Sequence, residues 1–230
     1  MNWNDKYRPK TFKDFVGNRD TLTAIEGFIL SGDIPHLLFY GEVGTGKTAL
    51  AETVALKLLG DSSNIIEMNA SDNRGINDIR KIIINAVRHI PMGTPMRVII
   101  LDEADGLTAD AQDLLKRPIE KSKNTLFVFT CNNVNAVIKP IKSRCAIFEF
   151  KSLAEEDIIE GLKRIAVKEN LSLSEQQIRE IAKKSNGDMR TAINELQKAS
   201  ALNNRNVEID KIVQQYMKAQ PQPQAQGVKV

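Results

Sequence analysis

At 230 residues, 42% hydrophobic and 27% charged, the chain is long enough to bury a full α/β core and a smaller second domain. Its 32 Lys and Arg against 29 Asp and Glu leave a net charge of +3, which permits nucleic-acid binding without arguing for it. No apolar run approaches the roughly 20 residues that span a bilayer, and the N-terminus has no signal-type apolar segment, so a soluble, non-secreted chain is expected.

The first strong signal in chain order is His36-Leu-Leu-Phe-Tyr40, a short apolar run of strand type, followed at once by Gly41-Glu-Val-Gly-Thr-Gly-Lys-Thr48. The octapeptide fits G-x-x-x-x-G-K-[ST], the phosphate-cradling P-loop. From Ala49 to Leu59, apolar residues at 50, 51, 54, 55, 58 and 59 form one face of a helix. Strand, glycine loop and helix are in the order that phosphate binding needs. Gly41, Gly44 and Gly46 let the backbone curl so that N–H groups, including those of Glu42, Val43 and Thr45, turn toward phosphate oxygens. The helix N-terminus adds about half a positive charge. Lys47 is expected to reach the β/γ-phosphates and the Thr48 hydroxyl to ligate Mg²⁺.

A second strand-like run covers 64–68, and a helical pattern at Ile76–Ile90 carries Arg80, Lys81 and Arg88. Arg97-Val-Ile-Ile-Leu-Asp-Glu-Ala-Asp105 is an apolar run ending in carboxylates, as suits a buried parallel strand whose carboxyl end faces the chemistry. Asp102 there can hold Mg²⁺, and Glu103 can orient or deprotonate a water. Asp105 is placed to cap a helix beginning near Thr108, which carries Lys116 and Arg117. Further strands are expected at 125–130 and 146–150. Cys131 and Cys145 have no partners at metal-ligand spacing, so zinc is not expected; both read as small buried residues in a reducing cytosol. These elements predict a five-stranded, mostly parallel sheet flanked by helices, an α/β P-loop module, with the chemistry of a Mg²⁺-dependent nucleoside triphosphatase.

From Leu153 the pattern is helical only, with segments at 155–169, 174–185, 188–202 and 208–218. Ser174-Glu-Gln-Gln177 reads as a capping box for the second of these. The expected organisation is an α/β domain over 1–152, a small all-α lid over 153–217, and a Pro/Gln-rich disordered tail over 218–230.

Taken together, these stretches resemble replication factor C, the archaeal and eukaryotic clamp-loader family within the AAA+ superfamily, in its small ATPase subunit. The resemblance spans about residues 3–205 and rests on Lys6-Tyr-Arg-Pro-Lys-Thr-Phe-Lys-Asp-Phe-Val-Gly17, the P-loop, Met68-Asn-Ala-Ser-Asp-Asn-Arg-Gly-Ile76, Asp102-Glu-Ala-Asp105, Thr130-Cys-Asn132, Lys142-Ser-Arg-Cys145 and Gly187-Asp-Met-Arg190. It implies ATP and Mg²⁺ as ligands, and as partners a large subunit, further small subunits, a sliding clamp and primer–template DNA. It places the chain in the cytoplasm, or in the nucleus of a eukaryote, without membrane attachment. Tyr7, Arg8, Pro9 and Val16 resemble the segment around the adenine; the same residues also read as a hydrophobic strap closing the first domain. Asn132 resembles sensor 1, Arg190 sensor 2, and Arg144 the arginine finger that reaches a neighbouring subunit's site. Arg80, Lys81, Lys116 and Arg117 lie on helices that, in the family, track duplex phosphates.

The chain departs from the family in three places. Glu42-Val43 stands where the family usually has two prolines, and a carboxylate beside phosphates is unfavourable. Pro118 interrupts a family helix, where an interior proline costs about 3 kcal/mol unless the helix bends or ends. The chain also ends after the second domain, before the collar that joins family members into a pentamer. Two other readings stand beside this one: an AAA+ remodelling ATPase with another client, which the missing collar and altered P-loop keep open, and a scaffold subunit that binds nucleotide without turning it over, against which the intact Lys47, Asp102, Glu103, Asn132 and Arg144 argue.

Overall fold

The computed structural model describes residues 1–70, 76–88, 96–122 and 124–202, with the side chains of 76–80 and 88 outside that description. Five parallel strands form one sheet in the order β2-β3-β4-β1-β5: β1 (His36–Gly41), β2 (Ile65–Asn69), β3 (Arg97–Asp102), β4 (Thr125–Cys131) and β5 (Cys145–Phe150). Each lies within one residue of its expected bounds. All of β4 is buried, as a central strand covered on both faces must be, and its middle, Leu126-Phe-Val-Phe129, is accordingly a continuous apolar run. β5 sits at the edge and is half exposed.

Because strand side chains alternate between faces, the sheet separates two cores. Leu38, Ile99, Leu101, Phe127 and Phe129 face α4 (Ile76–Arg88) and α5 (Ala109–Lys121). Leu37, Phe39, Val98, Ile100 and Val128 face α2 (Arg19–Ser31) and α3 (Lys47–Leu59). α3 begins at Lys47, ahead of the apolar pattern at Ala49, because its first turn belongs to the phosphate loop rather than to the core. α5 runs through Pro118 to Lys121 instead of ending there, with the Ser122 N–H closing on the Pro118 carbonyl at 3.0 Å. The missing proline N–H falls in the last turns, where continued packing of Leu115 and Ile119 offsets it.

The short α6 (Lys139–Lys142) leads into β5; after Leu153 come α7 (Glu155–Lys168), α8 (Glu175–Lys184) and α9 (189–202), which share a separate apolar core. The expected capping box is present: the Ser174 hydroxyl accepts the Gln177 N–H, and the Gln177 side chain accepts the Ser174 N–H. The N-terminal strap does not close the α/β half by itself. α1 (Trp3–Lys6) inserts Trp3 into the α7–α9 core, joined by Tyr7 and Val16, and the Trp3 N–H donates to Gln197 Oε1 at 3.1 Å. Burying an indole there stabilises the arrangement by about 2–3 kcal/mol. The expected helix at 208–218, the tail at 218–230, and residues 71–75 of the Met68–Ile76 stretch lie outside the described residues.

Candidate active site

The phosphate loop turns on its glycines. Gly41, Gly44 and Gly46 have φ of 129°, 72° and 97°, in the region that favours glycine. A Cβ on Gly41 would sit 2.1 Å from the Phe150 carbonyl oxygen, and one on Gly44 would sit 1.7 Å from the Asp188 carboxylate. α3 starts directly beyond, so its unpaired N–H groups face the hollow of the loop.

Three strand ends converge on that hollow. The Lys47 ammonium is buried and donates to the Gly41 and Glu42 carbonyls at 2.8 and 2.7 Å and to Asn132 Oδ1 at 3.1 Å. Burial lowers its pKa, opposed by the neighbouring carboxylates of Asp102 and Asp105. Burial likewise pushes the Cys131 thiol up to about 12, so it stays a neutral packing residue. Thr48 Oγ1 donates to Asp102 Oδ1 at 2.9 Å, and the Thr130 hydroxyl donates to the same oxygen. Thr130 Oγ1 also accepts the Glu103 N–H at 3.2 Å. Glu103 itself is held at φ 54°, ψ 43°, a left-handed conformation that costs a non-glycine residue about 1 kcal/mol. That sharp turn swings its exposed side chain onto the wall of the cleft.

Asp105 does not cap α5. Thr108 does so through its own hydroxyl, which accepts the Ala111 N–H at 3.3 Å. Asp105 Oδ2 instead accepts the N–H groups of Asn132 and Asn133, each at 3.0 Å.

The helical half closes over the loop. The Met189 N–H donates to the Gly44 carbonyl at 3.1 Å, Asp188 caps α9, and Arg190 in its first turn lines the cleft. The strap supplies the remaining wall with Tyr7, Arg8 and Val16. Tyr7 donates to Glu169 on the helical side, and Arg8 pairs with Glu52 of α3. The cleft measures about 810 Å³, within the range of sites that take a nucleotide-sized ligand.

Not every expected site residue reaches it. Gly41 and Glu42 serve the site through their carbonyls, and the Glu42 side chain is exposed to solvent. Arg144 lies at the opposite edge of the sheet: β5 pairs His36 with Cys145 and Gly41 with Phe150, so Arg144 precedes the strand by which the loop is reached. Its guanidinium donates to the Pro140 carbonyl at 2.7 Å and meets Glu120 at 3.3 Å. Lys81 and Arg117 are exposed, and Lys116 pairs with Asp113 at 2.6 Å. The Arg80 side chain is outside the described residues.

Sequence reasoning missed Gln112. It is buried, its amide donates to the Leu107 and Ala136 carbonyls at 3.1 and 2.9 Å, and its oxygen accepts the Ile138 N–H at 2.8 Å. Its place on one helical stripe with Leu115 and Ile119 was the available signal.

The sequence profile for the AAA family (ATPase family associated with various cellular activities) matches residues 37–153, and that for the RCF1/5-like AAA+ ATPase lid domain matches residues 160–201. The replication factor C small subunit of Archaeoglobus fulgidus is 43% identical over 224 residues, covering 96% of this chain and 70% of that protein. The chain belongs to the replication factor C small-subunit family of AAA ATPases. A replication factor C small subunit of Methanococcus maripaludis is 45% identical over 204 residues, covering 87% and 65% of the two chains. Replication factor C small subunit 1 of Pyrobaculum aerophilum is 44% identical over 205 residues, covering 87% and 62%. This chain thus spans 62–70% of the length of these replication factor C proteins. The Thermotoga maritima RuvB Holliday junction branch migration motor shares the fold with a TM-score of 0.70 at 24% identity, over 83% of this chain and 64% of that one. An AAA ATPase of the replication factor C family binds nucleotide, and replication factor C small subunits are parts of a larger assembly. Among the described residues, no helix is long and apolar enough to cross a membrane.

Proposed function

We propose that this chain is the ATP-binding and ATP-hydrolysing part of a clamp-loader subunit, acting with a large subunit and further small subunits to open a sliding clamp and place it on primer–template DNA. The observation that supports this is the pair of adjoining hydrogen-bonded groups, Asn132–Lys47 and Thr48–Asp102–Thr130 with Glu103 beside them, facing a cleft that Arg190 also lines from the helical side.

The loop N–H groups and Lys47 hold the phosphates; when they do, Lys47 exchanges two carbonyl contacts for phosphate oxygens, which favours its charged form. Glu103 orients the attacking water and takes its proton, while Asn132 holds the γ-phosphate or that water by its amide. Arg190 couples the helical half to the γ-phosphate, and Tyr7, Arg8 and Val16 pack around the base. Among the described residues, no group of three or more His, Cys, Asp or Glu side chains clusters as a metal cage. Thr48 and Asp102 fit Mg²⁺, which takes one or two protein oxygens and completes its shell with water and phosphate. When bound there, Mg²⁺ neutralises charge on the phosphates.

Arg144 is separated from its own phosphate loop by the length of β5, about 20 Å at 3.3 Å per residue, so it serves the nucleotide of an adjacent subunit. Head-to-tail contacts of that kind build rings or open spirals. Arg80, Lys81, Lys116 and Arg117, on two helices packed side by side, contact DNA phosphates and give position rather than sequence. The separate α7–α9 core supports a domain boundary at 152/153; the lid over 153–217 and the tail over 218–230 are proposed from the sequence pattern.

The test is steady-state ATP hydrolysis by the full chain, alone and mixed with a large subunit, clamp and primed DNA. Turnover that rises on assembly and rises again with clamp and DNA is expected. Turnover indifferent to clamp and DNA would remove the clamp-loading assignment, and absent turnover in the full assembly would leave only a nucleotide-binding scaffold.

A further inference from the structure

β4 pairs with β1 up to Tyr40–Cys131 and with β3 up to Leu101–Phe129, so the ladder stops just before Asn132. β3 has by then turned away at Glu103, whose left-handed backbone feeds a single 3₁₀ turn at Ala104–Gly106. Asp105 projects from that turn across the gap. Its Oδ2 accepts the N–H groups of Asn132 and Asn133, each at 3.0 Å, in place of the missing strand partner. A carboxylate bound by two successive N–H groups fixes the peptide planes on both sides of Asn132. The Asn132 amide then faces Lys47 at 3.1 Å.

We propose that Asp105 is a positioning residue: it holds the backbone of Asn132 so that the side-chain amide stays aimed at Lys47 and the phosphate it serves. The proposal rests on reading the cleft as a hydrolysis site. Two other tasks for this carboxylate are separable from it. Helix capping is carried by Thr108. Simple charge beside Lys47 is distinguished by chemistry: both N–H groups go to one oxygen, so an amide oxygen can take both while the charge is lost.

The experiment compares Asp105→Ala and Asp105→Asn by steady-state kinetics and by amide hydrogen exchange at Asn132 and Asn133. Asp105→Ala is expected to lower kcat about tenfold, with KM for ATP within about twofold, because placement rather than binding is lost. Asp105→Asn is expected to return kcat to within about threefold of the wild type. Adding Asp105→Ala to Asn132→Ala should cost less than about twofold further, since both act through one group. Exchange at the two amides should speed about tenfold in the alanine variant and stay near the wild-type rate in the asparagine variant. Wild-type kcat in Asp105→Ala, or an asparagine variant as slow as the alanine variant, overturns the proposal. If the wild type shows no turnover, the hydrolysis reading fails and exchange alone decides: unchanged protection in Asp105→Ala overturns the positioning role.

Discussion

The two edges of the sheet hold similar residues and do opposite things with them. At the carboxyl edge, Lys47 bonds to Asn132, and Thr48 and Thr130 bond to Asp102, around a hollow that on the proposed reading takes the nucleotide of its own chain. At the amino edge, Arg144 rests against Glu120 and the Pro140 carbonyl, exposed enough to leave both and far from any phosphate of its own chain. An exposed ion pair of this kind contributes at most about 1 kcal/mol, so releasing Arg144 is inexpensive. On the proposed reading, one edge binds the nucleotide of its own chain and the other carries a group that serves a neighbour.

The largest expected effect tests that division. Arg144→Ala throughout an assembly should lower ATP turnover about 10³-fold while nucleotide affinity at each subunit's own cleft stays near the wild-type value. Arg144→Lys should not restore it, because a point charge cannot meet two phosphate oxygens as a planar fork does. Measured by steady-state hydrolysis and fluorescent-nucleotide titration, an equal loss of affinity and turnover would break the comparison. Glu103→Gln is next: turnover should fall about 10²-fold or more with ATP binding retained. Here the defect should stay with the substituted subunit's own site in mixed assemblies, the reverse of Arg144.

The edges also differ in how legible they are in sequence. Glycine spacing, the Lys-Thr pair and carboxylates after an apolar run each follow from one local requirement, so the phosphate edge and all five strands can be read along the chain. Asp105 and Gln112 cannot be assigned that way, because their partners lie 27 and 24 residues distant and are backbone groups, which leave no side-chain signature. Trp3 is a further case: an N-terminal aromatic signals burial, but only packing shows that it is buried in α7–α9 rather than in the adjacent α/β half.

Gln112 joins the two edges, since it ties α5 to the segment between Asn132 and Arg144. Gln112→Ala strands the Leu107 and Ala136 carbonyls and the Ile138 N–H in the interior. Unpaired buried groups cost about 1–3 kcal/mol each before water enters, and a loss of about 2–3 kcal/mol in urea unfolding is expected. A loss under about 1 kcal/mol would mean that α5 is held by its apolar stripe alone.

The smallest effect sharpens the comparison by pH. His36, at the amino edge, accepts the Phe127 N–H at Nδ1 over 3.2 Å and donates from Nε2 to the Ile119 carbonyl over 3.1 Å. Burial lowers its pKa, with the Ile119 bond acting weakly the other way. The folded chain therefore favours the neutral ring. Its contribution to stability is complete above the ordinary histidine value of about 6.5 and is lost as pH falls through the lower folded value. Protonation would also put a second N–H against that of Phe127, loosening the end of α5 beside Glu120 and Arg144. In His36→Gln the amide can keep both bonds without titrating. The wild type should therefore lose stability relative to His36→Gln as pH falls below about 6.5, while the nucleotide affinities of the two proteins stay parallel, because the ring is a full strand length from the phosphate loop. Parallel stability curves would show that His36 does not titrate on folding. Diverging affinities would show that the two edges are mechanically joined through β1.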